Sequence, residues 1–336
     1  MFAARLTSGR PLFSLARLES YLTQDLELIR AARPDVVVGD FRLSLTASAR
    51  MAGASYVSIS NAYWSPDRPL RAIRPTVDRF RGWPSPLADA AFHALAPAVL
   101  RWHAGPVHQL LTRHGFTGID QDLRRAFTEA DLTLFADFPS LFPDVAQTPR
   151  SRFIGPPSWE PPVAPPPWWD SVPDDAPLAY LTLGSSGDAG ALVQMADWLV
   201  QMGFTVMAAT AGRTRLDGDG RRLFVNDYLP GRACAQRAGM VICNGGSPTV
   251  SQALAAGRPV LGVCSNLDQF LNMRAVEGRG AGLGLRADHL SQMAFERAIV
   301  RLQGPAFRAA AKALEAEAAA LDPAAALAQS IEDILS

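Results

Sequence analysis

Residues 240–263 read MVICNGGSPTVSQALAAGRPVLGV. The apolar run Met240 to Cys243 stops at Asn244-Gly245-Gly246-Ser247, and a helix-spaced pattern starts directly afterwards. A buried strand, a glycine turn and a helix form the repeating unit of an open α/β sheet, whose ligands gather at the carboxyl ends of the strands. Free N–H groups at the helix start, with the positive end of the macrodipole, make an anion site there. Glycine lets a bulky oxyanion approach the backbone closely. Phosphate is the natural guest, with the Thr249 hydroxyl in the first turn within its reach. A single glycine turn with a serine cap would equally suit any strand–helix junction. A second one, Leu183-Gly184-Ser185-Ser186-Gly187, ends another strand and favours the phosphate reading. Two such loops at neighbouring strand ends can grip a diphosphate, so Ser185, Ser186, Asn244, Gly245, Gly246, Ser247 and Thr249 are the candidate residues. Neither loop is a P-loop or a G-x-G-x-x-G, which counts against ATP hydrolysis and dinucleotide binding.

The same alternation extends outward. Residues 14–32 carry apolar side chains at helical spacing until Pro34, and DVVVGD (35–40) follows as a β-branched strand. LTASARMAG (45–53) predicts a helix and YVSIS (56–60) a strand; residues 87–113 predict helix, LTLFAD (132–137) and RFIG (152–155) strands. These make a first domain, 1–155. Residues 64–86 hold five prolines and five arginines and predict a long loop, fit either for an anionic acceptor or lipid surface or simply for solvent. Nine prolines in 156–177 predict a stiff connector, because proline neither donates to a ladder nor continues a helix. A second domain, 178–336, repeats the alternation and ends in Ala-rich helix from about residue 289. Two α/β domains joined in this way leave a cleft, where ligands prefer to sit.

Composition narrows the function. Of 336 residues, 48% are hydrophobic and 19% charged, with net charge zero, so substantial cores can be buried. Residues 1–155 carry +4 and the remainder −4, far from the strongly basic footprint of a nucleic-acid binder. Cys234, Cys243 and Cys264 lie too far apart for a zinc or disulfide motif and read as reduced hydrophobes of a cytoplasmic protein. No apolar run is long enough to cross a bilayer.

The quoted stretch resembles the donor-binding signature of the inverting, family 1 nucleotide-sugar glycosyltransferases of GT-B fold. In that family H-x-G-x-x-[ST] is followed by G-x-P and then by [DE]-Q with a later N. Here the pattern runs Asn244, Gly246, Thr249, Gly257, Pro259, Asp268-Gln269 and Asn272, with no gap over the 24 residues from Asn244 to Asp268. The segments GDFRLSLTASARMAGASYVSISNAYW, ADLTLFADFPSLFP and FIGP resemble the bacterial branch acting on lipids and natural products. The resemblance implies two Rossmann-like domains facing a cleft. It implies a UDP- or dTDP-sugar as co-substrate, a hydroxyl of a small-molecule or lipid-like acceptor, and no further cofactor. The helix start, in place of a metal, would stabilise the departing diphosphate. Asp268 and Gln269 would bind the donor sugar, their carboxylate and amide suiting adjacent hydroxyls. Tyr228 and Leu229 would meet the nucleobase. Asp40 matches the carboxylate that orients a catalytic histidine in relatives, although an aspartate capping a turn after a strand fits it equally.

Two departures qualify the match. Asn244 replaces the signature histidine and cannot carry its positive charge. Nothing corresponds to the family's first strand and histidine-bearing loop, so the N-terminal domain is expected to be incomplete and transfer slow. His93, His103, His108, His114 and His289 all lie in helical stretches and read as surface or packing residues. A nucleotide-sugar binding protein without turnover, or a sugar-nucleotide epimerase, are the competing expectations.

Overall fold

Ser14 opens the first helix, α1 (Leu15–Ala32), by accepting the Arg17 N–H, and Arg33 closes it in the left-handed region at φ 48°. The computed structural model describes residues 11–68, 74, 76, 85–157, 160, 162–173, 177–184 and 187–336. Most of the arginine-rich loop, and Ser185 and Ser186 of the second glycine turn, lie outside the described residues. The chain divides into two compact units, Met1–Pro157 with Leu321–Ser336, and Ser158–Ala320.

In the first unit, β1 (Val36–Asp40), β2 (Ser55–Ser60), β3 (Leu132–Phe135) and β4 (Ser151–Phe153) form a parallel sheet in the order β1-β2-β3-β4. Helices α2 (Leu45–Ala52), α3 (Ser85–Arg113) and α4 (Leu123–Thr128) lie between the strands in sequence. One face of the sheet packs Tyr56 with Ile29, Leu45 and Ala49; another cluster joins Val57, Leu132, Leu134 and Ile154.

The second unit holds six parallel strands in the order β10-β9-β8-β5-β6-β7. They are β5 (Leu178–Thr182), β6 (Thr205–Ala209), β7 (Leu223–Asn226), β8 (Met240–Cys243), β9 (Val260–Cys264) and β10 (Gly282–Arg286). Around them run α5 (Ala189–Gln201), α6 (Gly231–Arg237), α7 (Ser247–Ala255), α8 (Leu267–Gly278), α9 (Gln292–Leu302) and α10 (Pro305–Ala320). β5, β6, β8 and β9 are buried along their whole length and, apart from Thr182 and Thr205, are apolar, as strands covered on both faces require. The sequence pattern does not reveal β10, since its Gly-Leu-Gly-Leu-Arg lacks β-branched residues. Gly282 is needed there, because a Cβ would stand 2.5 Å from the Val260 carbonyl.

Two expected boundaries move. The last helix, α11 (Pro323–Leu335), was expected in the second domain but belongs to the first unit. Asp322 and Pro323 break it from α10, and its Ala326, Leu327 and Ile334 pack on the Val57–Leu134 cluster, with Arg152 paired to Asp333. The proline-rich segment is likewise not a bare connector. Trp168 Nε1 donates to the Val225 carbonyl at 3.0 Å and its ring packs on Phe224. Arg237 donates to the Trp169 and Val172 carbonyls, and Glu160 accepts the Arg232 N–H. Tryptophan rings gain more from covering β7 than the segment gains from solvation.

Candidate functional site

The six-stranded sheet changes direction between β5 and β8: β6 and β7 follow on one side of β5, and β8, β9 and β10 on the other. Chain connections diverge at such a point and leave a crevice at the carboxyl ends of the strands. The two glycine turns flank this crevice. A Cβ on Gly184 (φ 57°), in the turn after β5, would lie 3.7 Å from Asn244 Nδ2 in the turn after β8, so the turns touch.

The turn after β8 is fixed by its own bonds. The Cys243 thiol accepts the Gly245 N–H at 3.3 Å, and Asn244 Oδ1 accepts the Gly246 N–H at 3.0 Å. Burial pushes the Cys243 thiol up to about 12, so the sulfur stays protonated and neutral. From α8, the buried Asn272 donates Nδ2 to the Gly245 carbonyl at 2.9 Å. Gly245 adopts φ 82°, and a Cβ on it would stand 2.8 Å from both Cys264 Sγ and Met273 Cγ. Gly246, the glycine of the signature, is the N-cap of α7 at φ −68° and meets only Asn244 Oδ1 at 3.2 Å. No cap side chain covers the start of α7, and Pro248 has no N–H to satisfy. Ser247 and Thr249 thus present first-turn N–H groups and hydroxyls on half-buried residues. This is the turn expected to cradle an anion, and Gly245 with Asn272 shapes it more than the sequence indicates. Arg213 was not singled out either; its Nη1 donates to the Gly187 carbonyl at 2.6 Å, which brings a cation to the neighbouring turn.

The pair expected to bind the donor sugar divides. Asn266 caps α8 and accepts the Gln269 N–H, while Gln269 Oε1 accepts the Asn266 N–H at 3.4 Å in return, a capping box; the same oxygen accepts the Ser265 N–H at 2.8 Å and the Ser265 hydroxyl at 3.1 Å. Gln269 is buried, 2% exposed, whereas Asp268 in the same turn is half-buried. Leu229 is also buried in the core, so of the two residues expected at the nucleobase only Tyr228, 60% exposed, presents its side chain.

Two D-x-D triplets occur, Asp120-Gln121-Asp122, whose Asp122 caps α4 and pairs with Arg124, and Asp217-Gly218-Asp219. Asp219 Oδ1 accepts the N–H groups of Arg221, Arg222 and Leu223, each at 2.8 Å, which closes the turn at the amino end of β7 on the opposite edge of the sheet. Among the described residues no three His, Cys, Asp or Glu side chains gather as metal ligands.

In the first unit, Asp40 ends β1 with its side chain exposed and no hydrogen-bond partner among the described residues. Partial desolvation holds its carboxyl above the ordinary carboxylate value. His103 is a packing residue: its Nδ1 accepts the Leu12 N–H, and burial lowers it to about 4. No helix among the described residues is long and apolar enough to cross a membrane.

Two parallel α/β sheets, one with a glycine turn and a helix start without a side-chain cap at its switch point, are the architecture of the GT-B class of transferases. The chain belongs to the family 1 GT-B glycosyltransferases, and it is a glycosyltransferase. It is 43% identical over 311 residues to a PGL/p-HBAD biosynthesis glycosyltransferase of Mycobacterium tuberculosis, covering 92% of this chain and 73% of the relative. It is 42% identical over 301 residues to a PGL/p-HBAD biosynthesis rhamnosyltransferase of Mycobacterium bovis, covering 90% of this chain and 67% of the relative. Residues 214–334 match the family model for the C-terminal domain of erythromycin biosynthesis protein CIII-like proteins. The structure of the spinosyn rhamnosyltransferase SpnG complexed with thymidine diphosphate is similar at a TM-score of 0.66 and 22% identity, over 98% of this chain and 80% of that one.

Proposed function

We propose that the enzyme moves a hexosyl group, with inversion and without a metal, from a UDP- or dTDP-sugar to a hydroxyl of a small-molecule or lipid-like acceptor. The carrying observation is the cradle at the β5–β8 switch point, where Gly245 opens the backbone and α7 begins uncapped. A donor diphosphate there meets the N–H groups of Ser247 and Thr249 and the positive end of α7. As the bond from the anomeric carbon to the diphosphate breaks, these groups take up the charge developing on the leaving oxygen; one such preorganised donor contributes on the order of 3 kcal/mol. Asp268 contacts the sugar hydroxyls and Tyr228 the base. Asp40 serves the acceptor side, where the hydroxyl proton leaves as oxygen attacks the opposite face of the anomeric carbon. The Asp40 carboxylate takes that proton, and desolvation, which holds it above the ordinary carboxylate value, makes it a stronger base. The name of the rhamnosyltransferase relative supports a deoxyhexose donor, and the thymidine diphosphate bound by SpnG supports the dTDP form.

Calorimetric titration with UDP and dTDP, with and without a chelator, tests the reading. Affinity independent of the chelator is expected. Affinity that vanishes on chelation, or no binding of either nucleotide, would sink it.

A further inference from the structure

The turn that carries Asp40 is built in an unusual way. Phe41, the next residue, sits in the left-handed region at φ 49°, a conformation that a bulky side chain adopts only when its surroundings impose it. Two anchors impose it here. The Phe41 ring packs on the Phe127 ring, centroids 4.9 Å apart. One residue further, Arg42 Nε and Nη2 donate to Asp25 Oδ1 at 3.1 and 2.8 Å, and its guanidinium lies 4.1 Å from the centre of the Tyr21 ring. Asp25 is a buried carboxylate on α1, and its second oxygen accepts the hydroxyls of Ser44 at 2.5 Å and Ser48 at 3.4 Å. A single buried charge thus gathers the turn after β1 and the start of α2. Burying a carboxylate is costly unless every lone pair is used, yet none of these bonds serves the sheet itself. What they hold in common is the position of residues 40–44.

We infer that Asp25 is a positioning residue: through Arg42 and Ser44 it locks the left-handed turn at Phe41 and so sets where the Asp40 carboxylate stands. The inference rests on the proposed acceptor-side role of Asp40. It gives the strained turn a reason, because a relaxed turn would let a reacting group wander, and a misplacement of about 1 Å can cost about a hundredfold in rate.

The test compares Asp40→Asn, Asp25→Asn and Phe41→Gly in the full chain, measuring kcat, donor KM, nucleoside diphosphate affinity, melting, and the titration of the Asp40 carboxyl by carbon-13 NMR. Phe41→Gly accepts the left-handed turn without strain but removes the ring anchor, so it frees the turn without unpairing a buried charge. Asp25→Asn and Phe41→Gly should each lower kcat about ten- to a hundredfold, with donor KM and diphosphate affinity unchanged within about twofold. In both, the Asp40 carboxyl should titrate closer to an ordinary carboxylate than in the wild type. If Asp25→Asn fails to fold, Ser44→Ala, which removes one of its bonds and leaves the Arg42 pair in place, decides with the NMR titration. Wild-type kcat and an unmoved Asp40 titration in the folded one of these two variants, alongside an impaired Asp40→Asn, overturn the positioning role. An Asp40→Asn enzyme with undiminished turnover overturns the reading of Asp40 itself.

Discussion

Gly245 leaves no room for a side chain. At φ 82°, with Cys264 Sγ and Met273 Cγ each 2.8 Å from a would-be Cβ, alanine is strained and overpacked together. Gly245→Ala should cost about 2–4 kcal/mol of stability and lower diphosphate affinity more than about tenfold. Gly246→Ala, at φ −68°, should stay within about 1 kcal/mol. Thermal melts and nucleotide titration check both; equal effects would count against the cradle geometry. His103 gives a pH signature. Its folded value of about 4 lies below the unfolded 6.5, so between those values the unfolded chain binds the extra proton and stability rises with pH. Stability is therefore complete above about pH 6.5 and falls on acidification towards pH 4, by on the order of 3 kcal/mol. Denaturant melts from pH 7 to 4 should show this slope, and His103→Gln should flatten it.

In the proposed donor site, helices α7 and α8 divide the work. The start of α7 has no side-chain cap, whereas the start of α8 is closed on itself by the Asn266–Gln269 box. Thr249→Ala should weaken binding of the free nucleoside diphosphate. Asp268→Ala should leave that binding nearly unchanged and impair use of the sugar-bearing donor. Gln269→Ala should act mainly through folding, costing about 1–2 kcal/mol with the lost capping box. If Asp268→Ala weakens plain dTDP as much as Thr249→Ala does, the assignment of phosphate to α7 and sugar to α8 is wrong. Asn272 links the two elements, because its bond to the Gly245 carbonyl makes the position of the turn depend on α8.

Over the whole molecule, the chain leaves the first unit at Pro157 and returns to it at Leu321. Its last helix covers the Val57, Leu132, Leu134 and Ile154 cluster, so a segment at the end of the chain stabilises a sheet made near its start. Removing residues 321–336 should lower the unfolding transition of the first unit while dTDP still stabilises the second. At a hundredfold excess over Kd that stabilisation is about 2.7 kcal/mol, readable by calorimetry as a nucleotide-sensitive transition. Loss of the nucleotide response in the shortened chain would mean that α11 serves the donor unit after all.

What could be read along the chain was short-range. Apolar runs, Pro34, the glycine turn after Cys243 and the signature from Asn244 to Asn272 marked the α/β class, both sheets and the turn between β8 and α7, because periodicity and turn chemistry act over a few residues. Tertiary structure decided what depends on neighbours distant in sequence. Strand order put the turns after β5 and β8 side by side. Close packing against Cys264 and Met273 made Gly245 the demanding glycine, although Gly246 carries the motif. The capping box drew Gln269 inward, burial withdrew Leu229, and an uncovered apolar cluster claimed α11 for the first unit. Each outcome is a matter of which surface remains to be buried once the sheets have formed, and that is settled only in three dimensions.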